Sequence, residues 1–138
     1  MTVGLKVDFL CFPIGTGDFV HAFFSTVCKN LENGSWGSRF PLIMKQLYRG
    51  KLKYKAVPKA KDELLLIQSG LKEYAPRYVV WDIDDPEKLP PWGNNISDDI
   101  TDLSNYFVTC GGEELLEVML NAFKEAADKK QDVVLQLL

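Results

Sequence analysis

A chain of 138 residues, 46% apolar and 25% charged, has room for one ordinary domain whose core removes about two-thirds of the unfolded surface from water. These proportions and a net charge of −3 exclude a disordered chain, and no apolar run approaches the roughly twenty residues of a membrane span. The start, MTVGLKVDFLCF, sets Lys6 and Asp8 among apolar residues and lacks the basic head and small-residue cleavage site of an export signal, so a cytoplasmic protein is expected.

In chain order, Val3, Leu5, Val7, Phe9 and Cys11 alternate with period two, and Leu10 and Phe12 add apolar residues to the opposite face. This predicts one interior strand, broken by PIGTGD. Thr16 can cap a helix in which Phe19, Val20, Phe23, Phe24, Val27 and Leu31 share a face and which Asn33 and Gly34 end. After the loop ENGSWGSRFP, Pro41 suits the first turn of a helix over LIMKQLY, stopped at Gly50. KLKYKAV reads either as an edge strand guarded by lysines or as a basic connector. PKAKDELLLIQSGLKEY predicts a helix with Leu64, Leu65, Ile67 and Leu71 as its stripe, closed by Pro76.

YVVWDI predicts a second strand and NYFVT a third, short one. Gly111 and Gly112 punctuate before a helix that presents Leu115, Leu116, Met119, Leu120 and Phe123. DVVLQLL resembles a buried strand, with a helical tail as the alternative. The expected architecture is a single small α/β domain over residues 1–138, one mixed sheet of about four strands packed with about four helices.

Candidate chemistry is sparse. Cys11, Cys28 and Cys110 are odd in number, widely spaced and set among apolar neighbours, which suits reduced, packed thiols. With no CxxC pair and one histidine, a zinc site is not expected. PIGTGD has a single G-x-G and no GK[ST], so it reads as a tight strand-to-helix turn, not a phosphate loop. His21 is expected at the core boundary; its neighbours Ser25 and Thr26 lack the elbow and oxyanion donors of acyl transfer.

The dense stretch is WDIDDPEKLPPWGNNISDDITD, residues 81–102. Asp82 and Asp84 share a face at the end of the expected strand with Asp85 just beyond, and three such carboxylates suit a hard cation such as Mg²⁺. That supports one reading, a small metal-dependent enzyme or nucleotide-binding domain. Asp98, Asp99 and Asp102 fit a single turn capped by Ser97. Pro86, Pro90 and Pro91 stiffen the stretch, so less entropy is lost on docking. Trp92 in a polar loop either anchors an interface or caps the protein's own core. Charge is also segregated: residues 39–77 carry ten Lys/Arg against three Asp/Glu, and residues 78–117 carry ten Asp/Glu against one lysine. Such blocks steer a partner of opposite sign, or face each other and cancel.

Three runs carry a family resemblance: ENGSWGSRFPLIMKQLYRGKL, VVWDIDDPEKLPPWGNNISDDITDLSNYFVT and GGEELLEVMLNAF. Together they resemble the bacterial immunity protein 70 family, from about residue 3 to residue 127. SWGSRFP at 35–41, VVWDI at 79–83, PPWG with NIS at 90–97 and the NYFVT block are the most specific portions. The resemblance implies a protein without catalysis or cofactor that binds a cognate toxin domain and blocks it in the cytoplasm. Carboxylates presented to a basic cleft compete with phosphates, which suits a nuclease toxin. Asp82, Asp84, Asp85, Trp92, Asp98, Asp99 and Asp102 are the candidate partner-binding residues.

Overall fold

The structure is a computed structural model that describes residues 2–138. Its first surprise lies in VGLKVDFLCF. Instead of one strand this segment folds as a hairpin, β1 (Val3–Val7) and β2 (Leu10–Gly15), with Val7 opposite Leu10. Asp8 makes the turn at φ 54°, a left-handed conformation that aspartate tolerates better than most residues. Asp-Phe lacks the Asn-Gly or Asp-Gly signature of a two-residue hairpin, so the alternation reads straight through the turn. Phe9 sits at the tip, 90% exposed.

Helix α1 (Gly17–Leu31) begins as expected, with Thr16 Oγ1 accepting from the Phe19 amide at 3.2 Å. Pro41 is followed by a short π-helical stretch, Leu42–Leu47. KLKYKAV divides between both of its readings: β3 is only Lys51–Leu52, at the sheet edge, and a 3₁₀ turn, Tyr54–Ala56, leads into α2 (Val57–Leu71). In α2, Ala60, Leu64, Ile67 and Leu71 are buried, whereas Leu65 lies off the stripe and is exposed, as its one-residue step from Leu64 requires. Helix α3 (Leu115–Lys129) and strand β4 (Val133–Leu137) complete the chain.

The four strands form one sheet in the order β2-β1-β4-β3, antiparallel at every pairing rather than mixed. The cause is the hairpin followed by insertion of β4 between β1 and β3, which leaves no parallel crossover. Leu5, Val7, Ile14 and Val133 point into the core while Lys6 and Val134 stay partly exposed. Helix α3 lies against β1, β2 and β4, and α1 against β2. The molecule is thus a small α/β domain, with no helix among the described residues long and apolar enough to cross a membrane.

Two expected strands do not form. Tyr78 ends a 3₁₀ turn, Pro76–Tyr78, residues 79–83 pair with no strand, and NYFVT contributes one isolated bridge, Val108 with Glu114. All three thiols are free, but only Cys28 is packed as expected; Cys11 and Cys110 are exposed.

The SWGSRFP loop is organised by a residue outside it. Glu32 is buried, and its carboxylate accepts from the amides of Gly37, Arg39 and Phe40 at 3.0, 2.9 and 3.0 Å. Gly37 takes φ 76°, where a side chain would be strained. Trp36 Nε1 donates to the Met44 carbonyl at 2.6 Å, and Glu63 accepts from the amides of Leu42 and Ile43. Glu32→Ala leaves three amides without a partner, each worth about 1–3 kcal/mol when buried. We expect urea denaturation to show a loss of roughly 3 kcal/mol or more; a loss below about 1 kcal/mol contradicts this role.

Candidate functional site

Segment 78–83 takes several of its backbone partners from side chains of α1. Asn30 Nδ2 donates to the Tyr78 carbonyl at 3.0 Å. Thr26 Oγ1 both donates to the Val80 carbonyl, at 3.1 Å, and accepts from its amide, at 3.0 Å. Ser25 Oγ accepts from the Ile83 amide at 3.2 Å. The two hydroxyls beside His21 are therefore structural: both are fully buried and occupied.

His21, at the core boundary as expected, is the hub where distant segments meet. Its Nε2 lies 3.1 Å from Asp82 Oδ1 and 3.8 Å from Asp84 Oδ2, and its Nδ1 lies 2.7 Å from the Tyr48 hydroxyl. A carboxylate only accepts, so Nε2 carries a proton and Nδ1 of the neutral ring accepts from Tyr48. Trp36 stacks on the imidazole at 6.1 Å, inclined by 20°. Burial, reinforced by the charges of Asp84 and Asp82, raises the Tyr48 pKa. The blocks 32–48 and 79–84 thus converge on one side chain of α1, a convergence that their sequence separation hides.

Asp82 is engaged on several sides. Besides His21 it accepts from the Asp84 amide at 2.9 Å, and its second oxygen is 3.7 Å from Lys88 Nζ. His21 and one oxygen each of Asp82 and Asp84 lie within 4.8 Å of one another, a spacing that can hold a metal ion; Asp85 is not of that group.

The remaining candidates divide into two kinds. Asp84, Asp85, Asp98 and Asp99 are exposed, Asp84 with 85% of its side-chain surface free. Asp102 turns inward and accepts from the Ser104 amide, the Ser104 hydroxyl and the Thr101 hydroxyl. Burial would raise its pKa, but these bonds and the charge of Lys72 bring it below the ordinary aspartate value. Ser97 Oγ accepts from the Asp99 amide, and Ile100 closes on the Ser97 carbonyl, so residues 97–100 form the expected capped turn. Trp92 serves the protein's own packing: its ring meets Trp81 edge-on at 5.3 Å and its Nε1 donates to the Tyr106 hydroxyl at 2.8 Å. It is still 39% exposed, so part of the ring remains available. No ion pair among the described residues joins the basic block 39–77 to the acidic block 78–117.

A family model described as Immunity protein 70 matches residues 5–135, nearly the whole chain. No curated protein and no solved structure matches it.

Asp82 supplies a pH prediction. The Asp84 amide first, then His21 and the charge of Lys88, hold its carboxyl below the ordinary value of 3.8 against the opposing effect of burial. A depressed folded pKa contributes stability above the unfolded value, and that contribution is lost as pH falls through the folded value. Asp82→Asn removes this acid limb. Urea midpoints followed down from neutral pH should fall less steeply below 3.8 in the variant than in the wild type; parallel profiles refute the assignment.

Proposed function

The chain belongs to the immunity protein 70 family, and from that premise we propose that it binds a cognate toxin domain and neutralises it by adhesion through the anionic face of the 84–99 loop. The toxin is of the polymorphic or contact-dependent kind, met in the cytoplasm. The observation that carries this reading is the set of four outward carboxylates, Asp84, Asp85, Asp98 and Asp99, on a loop pinned from beneath by Trp92. Asp82 and Asp102 position that loop, and Trp92 adds a partly open aromatic surface. A rigid anionic rim loses little entropy on docking and complements a basic cleft, such as a nuclease uses to hold phosphates. No bond-making step is required of the inhibitor.

The test is protection of cells that express the toxin encoded beside this chain's gene. Asp84→Lys with Asp99→Lys should abolish protection and weaken binding by roughly tenfold or more while circular dichroism stays unchanged. Full protection by the double variant removes this face from the interface.

A second reading, a divalent cation held for catalysis, draws on the 4.8 Å grouping of His21, Asp82 and Asp84. The ion pair of Asp82 with Lys88 weighs against it, because an ammonium competes for the same carboxylate. Calorimetry with Mn²⁺ separates the two. Stoichiometric binding tighter than about 10 µM, lost in His21→Ala, belongs to the metal reading; under the adhesive reading no such heat is expected.

A further inference from the structure

Beneath the same loop lies an open cleft of about 490 Å³, within the ~300–1,000 Å³ of ordinary ligand sites. Val79, Trp81 and Ile83 line it from segment 78–83, and Pro86, Leu89 and Pro90 from the loop. Leu89 is 75% exposed, an apolar side chain the rest of the chain leaves uncovered. Prolines on that wall limit how far the cleft can collapse.

Its charges are opposite in sign to those of the loop's outer face. Lys29, Arg77 and Lys88 line the cleft, and its one carboxylate, Asp82, is already engaged by His21 and Lys88. Neither Lys29 nor Arg77 has a carboxylate partner among the described residues. Arg77 is held in place by Tyr78, with its guanidinium 4.9 Å from the ring centroid and a 3.2 Å hydrogen bond to the hydroxyl. An occupant that satisfies both walls and cations is apolar at its centre and anionic at its edges.

We propose that this cleft receives an aromatic or long aliphatic side chain of the toxin whose neighbours in the toxin chain are carboxylates. The inference rests on the immunity reading above and makes the interface bipartite: an anionic rim that meets basic residues, and a cationic-edged socket that anchors one apolar side chain. Continuity argues for a protein occupant. Asp84 and Asp85 immediately precede Pro86 in the wall, so a protein seated on those carboxylates lies over the cleft. A deep apolar anchor surrounded by charged contacts is the arrangement that concentrates binding energy in few residues.

The probe is 8-anilinonaphthalene-1-sulfonate, fused rings bearing one anion, added to the full chain and excited by energy transfer from Trp81. We expect one probe per chain and loss of its emission in Arg77→Glu/Leu89→Glu, two exposed substitutions that leave circular dichroism unchanged. The toxin domain encoded beside the gene should displace the probe, and the double variant should bind that domain roughly tenfold or more weakly. Failure of the wild type to bind the probe overturns the proposal at once. A toxin that binds with the probe still seated, or binds the double variant at full affinity, overturns it and leaves the immunity reading intact; the cleft is then a site for a free amphiphilic anion. A toxin that does not bind the wild type at all overturns both.

Discussion

A segment that joins no sheet must still satisfy its amides and carbonyls, and for residues 78–83 much of the obligation falls on one helix. Asn30, Thr26 and Ser25 of α1 bond the backbone of Tyr78, Val80 and Ile83, and His21 holds the Asp82 carboxylate. The polar face of α1 thus does for these residues the work of a neighbouring strand. The position of Asp82, the mouth of the cleft and the root of the acidic loop all follow from these bonds.

This arrangement also explains which parts of the structure were legible in the sequence. The faces of α1 and α3 were visible because burial and helical period coincide, and Thr16 and Asn33 mark the ends of α1. DVVLQLL was readable as a strand because Val133 is buried and Val134 and Leu135 are partly so, without helical spacing. YVVWDI carries the same β-branched signal, yet its partners are hydroxyls and an amide on α1, and propensity records a liking for extended geometry, not the identity of the partner. The hairpin escaped because Asp8 takes its left-handed conformation without a following glycine.

At the site, the exposed carboxylates and the turn at Ser97 could be read directly. The hub could not. His21, the pair Trp36 and Tyr48, and Asp82 come from three separated segments, and no spacing in the sequence marks that they meet. Glu32 left no signal either, since a glutamate at a helix end is ordinarily a solvated charge. Here its carboxylate replaces the missing regular structure of the following loop, as Trp92 and Tyr106 do for the acidic one.

The staples from α1 to Tyr78, Val80 and Ile83 act on main-chain atoms, and His21 holds the side chain of Asp82. Side chains at 84, 85, 98 and 99 take no part in them, so their chemistry can drift without loosening the scaffold. If recognition rests on these carboxylates, as proposed above, folding and recognition are separable traits in this molecule, and a lineage facing a new antagonist can rewrite the second while inheriting the first.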